Sequence, residues 1–293
     1  MSKVSKKVTS ATYVQKVQSI FQCPICKESM YVSDLKSLVC SNHHSFDFTK
    51  QGYINLYTQQ VKTKYNKALF EARRKVIVEG EFFTPLTEAI TKIIQKHTVA
   101  QENLNLIDTG CGEGSHLVTV GEALRSHKSV TGVGIDLAKE GILVAAKHYP
   151  NYIWCVADLA NTPFKDNHFD VILNILSPSN YAEFGRLLTK EGFVVKVVPQ
   201  QKYLQELRGE FLAESAQQEY SNRDVVDRFQ EEFQLVDRSR ITYTKNLDQA
   251  MLEALVTMTP LTWRSTEKEK KAFLQKESAE ITVDVDILIG RNN

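Results

Sequence analysis

The sequence predicts an α/β protein: a doubly wound, Rossmann-like, mostly parallel seven-stranded sheet behind a small N-terminal Cys/His module. Three observations carry this. From residue 104 onward, apolar strand-like runs alternate with amphipathic helical runs, the pattern of a parallel sheet with crossover helices. A glycine-rich stretch, LNLIDTGCGEGSH (104–116), joins the first such strand to the first such helix. Upstream, CPICKESMYVSDLKSLVCSNHH (23–44) holds three of the five cysteines and two adjacent histidines.

Taken in order, residues 1–20 read as a polar tail with some helical character. Residues 21–60 hold the Cys/His module, with short strand-like runs LKSLVC and YINLY. Residues 61–100 read as a basic linker followed by helices, NKALFEARRKVIVEG and then PLTEAITKIIQKH. In the second, Leu86, Ile90, Ile93 and Ile94 recur at helical spacing and face a core. Residues 101–293 form the α/β domain. LNLID, VTGVGID, YIWCVAD, FDVILNIL and GFVVKVVP read as strands. SHLVTVGEALRS, AKEGILVAAKHY and YAEFGRLLTK read as the helices between them. Beyond residue 200, KYLQELRGEFL and LDQAMLEALVTM read as helices, RITYTK as a strand, and the alternating ITVDVDILIG as the last strand.

At 293 residues, 42% hydrophobic and 24% charged, the chain has the balance of a soluble globular protein. No apolar run approaches the ~20 residues that span a bilayer, and the basic N-terminus lacks the apolar core of a secretory signal. A cytoplasmic protein with no membrane partner is expected. An odd number of cysteines argues against a disulfide framework. Charge is unevenly spread: residues 1–100 carry 15 Lys/Arg against 7 Asp/Glu, and residues 101–293 carry 21 against 28. No acid lies between Asp47 and Glu71. That gap interleaves Lys50, Lys62, Lys64 and Lys67 with Phe48, Tyr53, Tyr57, Tyr65 and Phe70, and Arg73, Arg74 and Lys75 follow. Cations neutralise phosphates and aromatics stack on bases, so the mixture suits an RNA surface.

The glycine loop has its own chemistry. The first strand ends in Asp108, and Gly110, Gly112 and Gly114 follow before the helix. Glycines let the backbone turn sharply and let a ligand approach it. The second strand ends in Asp136 and the third in Asp158, where acids meet ribose hydroxyls and nearby polar groups. The loop lacks both the G-x-G-x-x-G spacing of a dinucleotide site and the G-K-[ST] of a P-loop. With these residues the domain resembles the class I S-adenosylmethionine-dependent methyltransferase fold. That donor carries no phosphate, so carboxylates in place of a phosphate-binding lysine are chemically consistent.

In the module, Cys23-x2-Cys26 places two thiolates on one metal, and Cys40 follows with His43 and His44. A Cys3His set closes a tetrahedral structural zinc, and spacing leaves the choice between His43 and His44 open. Cys111 and Cys155 read as small buried residues of the sheet. The whole chain resembles the RlmA-type bacterial 23S rRNA guanine-N1 methyltransferases. The resemblance rests on C-P-x-C (23–26), C-x-x-x-H (40–44), F-D-F-T-K-Q-G-Y-I-N-L (46–56), E-A-R-R (71–74), G-E-F-F-T-P-L (80–86), Q-E-L-R-G (205–209) and M-T-P-L-T-W-R (258–264).

This resemblance implies zinc on Cys23, Cys26, Cys40 and His44. It implies S-adenosylmethionine contacts at Phe83, Ser115, His116 and Tyr203 beside Asp108, Gly110, Gly112, Gly114, Asp136 and Asp158. Asn174, ending the fourth strand, joins this group as a residue that either bonds the base edge or caps the strand. The implied substrate is a guanine in hairpin 35 of 23S rRNA, bound by a homodimer. Its N1 lies on the Watson–Crick edge, so the base must be looped out or extruded. No catalytic base is assigned. The chain departs from the family where a G-D pair usually precedes A-R-R, since Lys64 and Tyr65 stand there, and where F-L-x-x-G is V-I-V-E-G. A fold-retaining RNA binder without turnover and a small-molecule methyltransferase are the competing classes.

Overall fold

The computed structural model describes residues 5–59, 65–212 and 221–293. Its first element is not a tail. Ser5 caps helix α1 (Lys6–Lys16) by accepting from the Val8 N–H. Ala11 and Val14 are fully buried, and Ser10 Oγ donates to the Gly52 carbonyl. The helix therefore docks on the chain that follows it. Strands β1 (Met30–Ser33), β2 (Ser37–Cys40) and β3 (Ser45–Asp47) form a small antiparallel sheet. The β1–β2 hairpin turns at Asp34 and Leu35, with φ of 51° and 52°, a mirror-image turn made without the usual Asn-Gly signal.

Strand β4 (Ile54–Asn55) leaves the module and pairs parallel with β7 (Ile153–Val156). Helix α2 (Lys67–Arg74) runs into a single π turn at Lys75–Glu79, and α3 (Thr84–His97) follows. The α/β domain then runs β5 (Asn103–Thr109), α4 (Ser115–Arg125), β6 (Ser129–Asp136), α5 (Lys139–His148), β7, β8 (Phe169–Ile175), α6 (Tyr181–Leu187) and β9 (Leu188–Pro199). Helices α7 (Gln205–Phe211) and α8 (Arg223–Glu232) precede β10 (Phe233–Asp248). Helices α9 (Gln249–Met258) and α10 (Glu267–Phe273) precede β11 (Ser278–Asn292). Sequence periodicity did not mark α8 or α10.

The sheet order is β10-β11-β9-β8-β5-β6-β7-β4. The β4, β7, β6, β5, β8 and β9 ladders are parallel, and the β10–β11 hairpin closes the far edge antiparallel. Seven strands match the expected sheet, and the eighth comes from the module. Strand order reverses at β5, which lies between β6 and β8, and ligands bind such sheets at this switch point.

The module has no core of its own. Ile20, Phe21, Leu38 and Phe48 belong to one buried cluster with Ile107, Val133, Ile135 and Ile153 of the sheet. The opposite sheet face is covered by α3, α4 and α9 through Leu86, Ile90, Leu117, Val120 and Leu255. Burial also moves part of the expected RNA surface indoors: Phe48, Tyr53 and Phe70 are each at most 4% exposed. Lys62 and Lys64 lie outside the described residues.

Phe21 is fully buried, bridges to Phe164 and packs on its ring at 5.2 Å between centroids. Replacing it with Ala should cost about 3–5 kcal/mol, seen as a lower denaturant midpoint. Because the core is shared, tryptophan fluorescence from the α/β domain and the zinc content of the module should report one transition. Two separated transitions would show that the module folds on its own.

Candidate functional site

Two sites emerge. The first gathers Cys23, Cys26, Cys40 and His44, whose ligand atoms all lie within 4.8 Å of one another. His44 Nδ1 stands 3.5 Å from the Cys23 and Cys40 sulfurs, and Cys26 Sγ stands 3.7 Å from Cys40 Sγ. A tetrahedral ion with Zn–S of ~2.3 Å and Zn–N of ~2.0–2.1 Å requires S···S of ~3.8 Å and S···N of ~3.5 Å. The four residues therefore fit zinc, with no position open to a fifth group. Local backbone makes the set. Cys23 N–H donates to the Glu28 carbonyl and Lys27 N–H to the Cys23 carbonyl, with Lys27 at φ 65°. His43 turns the second knuckle at φ 62° while donating its N–H to the Cys40 carbonyl. That turn leaves His43 exposed and places His44 at the sulfurs. The backbone N–H of Glu28 holds the Cys26 thiol down to about 6, which favours the thiolate ligand.

The second site is a cavity of about 900 Å³ at the carboxyl ends of the strands. Gly110 and Gly112 form part of its wall. Gly110 has φ 77°, and a Cβ there would meet Ser177 Oγ at 2.0 Å. Gly114 has φ 81° and starts α4, and a Cβ there would strike the Trp154 ring at 2.2 Å. Only glycine fits both positions. Asp136 also lines the cavity, and it orders the loop: Oδ2 accepts from Gly112 N–H at 2.9 Å and Oδ1 from Ala138 N–H at 2.7 Å. Tyr203 faces the same space, and burial pushes its phenol up to about 12.

The remaining expected residues stand behind this wall. Ser115 is buried with its Oγ 3.1 Å from Tyr149 OH. His116 is 2% exposed, and among the described residues neither ring nitrogen has a hydrogen-bond partner. Its ring meets Phe83 edge-on at 5.2 Å. Burial holds this imidazole down to about 3, so it is neutral. Asp158 caps its own turn through Ala160 N–H and does not line the cavity. Asn174 is fully buried with its amide spent internally: Nδ2 donates to the Thr109 and Pro178 carbonyls, and Oδ1 accepts from Lys196 Nζ and Ser179 Oγ. It caps the strand end. Cys111 and Cys155 are buried, and burial pushes both thiols up.

Sequence reading assigned Arg73 to the RNA surface and missed its partner Glu113. Arg73 of the E-A-R-R string sits over the glycine loop with Nε 2.7 Å from Glu113 Oε2. Beside the Arg73 charge, hydrogen bonds from the Glu113 and Ser115 backbone and the Ser115 side chain favour the Glu113 carboxylate. Burial raises Asp108 to about 8, with Arg73 opposing and Glu113 and Asp136 adding to the rise. Glu113 and Asp136 are raised as well, burial again leading. Three carboxyl groups thus share one guanidinium beside an unpartnered imidazole. Such a site has excess acceptor capacity and fits a ligand carrying sulfonium and ammonium charge.

The cavity mouth is aromatic. Tyr65 and Trp263 are 40% and 41% exposed and meet edge-on at 5.2 Å, with Phe70 behind Tyr65 at 6.1 Å. The M-T-P-L-T-W-R string builds this rim. Thr262 Oγ1 donates to the Val256 and Thr259 carbonyls, locking the short turn that presents Trp263. Arg74, by contrast, turns away to Glu79 at 2.8 Å. Among the described residues no helix is long and apolar enough to cross a membrane.

Residues 21–64 match the zinc ribbon family described as RlmA, N-terminal, and residues 106–192 match the methyltransferase domain family. A Bacillus subtilis (strain 168) protein provisionally named 23S rRNA (guanine-N(1)-)-methyltransferase YxjB is 45% identical over 273 residues, 93% of this chain and 97% of that one. The Streptomyces fradiae 23S rRNA (guanine(748)-N(1))-methyltransferase is 29% identical over 85% of this chain and 87% of its own length. A Micromonospora griseorubida relative of the same provisional name is 25% identical over 92% and 96%.

The geometry makes a clear choice between the two histidines. His44→Ala should lose stoichiometric zinc in elemental analysis, whereas His43→Ala should keep it. Zinc retained by His44→Ala and lost by His43→Ala would reverse the assignment.

Proposed function

This chain belongs to the 23S rRNA (guanine-N1)-methyltransferase family, and from that premise we propose how its cavity serves the reaction. The chain transfers a methyl group from S-adenosylmethionine to N1 of a guanine in 23S rRNA. The observation that carries the structural reading is one cavity lined by Gly110, Gly112, Arg73 and Asp136 and by the exposed aromatics Tyr65 and Trp263, with the carboxyl groups of Asp108 and Glu113 buried beside the glycine loop. When bound, the donor supplies an activated methyl group. Gly110 and Gly112 would give it main-chain approach, Asp136 would meet ribose hydroxyls, and the nearby buried Asp108 and Glu113 would balance its positive charge. Arg73 meets its carboxylate, and Tyr203 closes the wall.

The guanine enters past Tyr65 and Trp263, which offer π-faces to a base removed from its stack. A target in hairpin 35, as the family resemblance implies, presents N1 once its pairing is broken. The relative acting on guanine 748 favours that position here. Zinc holds the ribbon and takes no chemical part, since its four ligands are all protein groups. The homodimer implied by the resemblance completes the proposal, and a ribosomal substrate supports a cytoplasmic location.

Incubation with S-adenosylmethionine and 23S rRNA should give N1-methylguanine and a new reverse-transcription stop; an unmodified hairpin 35 would count against the assignment. Trp263→Ala should raise the KM for RNA about 5–100-fold, from the ~1–3 kcal/mol of base–aromatic stacking, while calorimetric affinity for S-adenosylmethionine stays within about twofold. The donor is cationic, so its affinity should also rise with pH as Asp108 ionises through about 8. The sign follows from charge: the protonated carboxyl offers no counterion, and the ionised one does. Asp108→Asn should flatten this slope.

A further inference from the structure

The end of β9 carries a buried lysine. Lys196 is 3% exposed and lines the cavity. Its Nζ donates to Asn174 Oδ1 at 2.7 Å and Ser179 Oγ at 2.5 Å, with the Ser177 carbonyl more distant at 3.5 Å. All three acceptors are neutral. A buried ammonium without an anionic partner is costly, so this pocket makes the free amine far more accessible than it is in water. Burial alone holds the amine down to about 8. A neutral amine has two N–H bonds, and the two short contacts use both. The third contact, to the Ser177 carbonyl, is the long one, so that is the position on Nζ a lone pair can take.

The groups facing Lys196 keep it that way. From β8 comes Asn174, directly opposite and uncharged. From β11 comes Leu288 opposite. Two pairs farther along stands Asp286, whose Oδ2 accepts from Arg238, Gln200 and Asn222. Ser177–Ser179 supply hydroxyls and a carbonyl, and α8 supplies Val225. The other charged groups on the cavity wall are Arg73, Arg208 and Asp136.

We propose that Lys196 is the base that takes the N1 proton of the target guanine, an inference that rests on the function proposed above. The N1–H bond breaks and its proton joins the Nζ lone pair, giving an ammonium. The N1 electron pair forms the new N–C bond to the methyl carbon, while the C–S bond breaks with its pair going to sulfur. Atoms and charge balance without a further reactant, and bulk water later takes the proton from Nζ. No other lining group suits the task. Both Asp136 oxygens are engaged by backbone N–H groups, Tyr203 ionises far above neutrality, and arginine is not deprotonated in proteins.

The first arm of the test needs no variant. In wild-type protein labelled with ¹³C-lysine and assigned through the backbone, the Cε resonance of Lys196 should titrate near pH 8; titration above pH 10 overturns the proposal. In the second arm, Lys196→Arg keeps the positive charge but holds no usable lone pair. Its single-turnover methyl transfer should fall about 100-fold or more, with S-adenosylmethionine affinity within about twofold. Lys196→Ala should regain about tenfold on addition of methylamine or ethylamine, at rates that follow amine basicity. The wild-type rate should rise with pH and level off above about 8. An active Lys196→Arg enzyme would overturn the base role while leaving the function intact. A wild-type protein that methylates no guanine would overturn the function, and the base role with it.

Discussion

A guanidinium among three carboxyl groups is tolerable inside a protein only when charges are paired at short range, and Arg73 meets that condition through Glu113. The pair ties helix α2 to the glycine loop, two segments about 40 residues apart in sequence. Removing either partner leaves a buried charge, a loss of about 3–5 kcal/mol. Much else follows from this contact. Leu69 and Phe70 of α2 are brought onto Ala138 and Val144 of α5, closing the cavity over the end of β6. The π turn after α2 hands the chain to α3 with Gly80 N–H bonded to the Lys75 carbonyl. Such turns recur where a side chain must be aimed at a site.

The two halves of the cavity are electrostatic opposites. On the β5–β6 side, buried carboxyls outnumber cations, and burial raises each of them. On the β8–β9 side, a lysine is anchored only by neutral oxygens. The first half suits a cationic donor. The second suits an acceptor that must lose a proton before it can attack. Opposite shifts in adjacent titratable groups are the pattern expected where donor binding and proton transfer are separated in space.

The sheet was legible because its strands are buried on both faces and read as unbroken apolar runs, VTGVGID and FDVILNIL among them. The zinc ligands were legible as a spacing, although only backbone geometry, with His43 turned at φ 62°, separates the two histidines on physical grounds. Asp136 and the glycines were legible because strand ends and positive φ demand them. What sequence could not show was contact across distance. Arg73 belongs to a conspicuously basic string, yet its partner Glu113 lies in the glycine loop. Phe48, Tyr53 and Phe70 looked available to stack on bases, but tertiary packing buries them. Asn174 was read at the right strand end, and its neighbour Lys196 passed unnoticed inside the apolar run GFVVKVVP.

The zinc ribbon is bound to the chemistry more closely than a separate RNA-gripping domain would be. After β3 the chain turns at Thr49–Tyr53, where Gly52 has φ 97° and packs on α1. It then pairs Ile54 with Cys155 and Asn55 with Val156. Leu56 N–H continues the ladder to the Val156 carbonyl at 2.9 Å. Strand β7 leads directly into Asp158 and Leu159, and Leu159 lines the cavity. The metal therefore braces a ribbon that braces the sheet edge next to the donor site. A parallel edge strand is an exposed row of unpaired backbone groups, and β4 covers that row here. Holding the ribbon folded is thus a condition for keeping the sheet edge covered, a structural task that the four-ligand Cys/His set can perform.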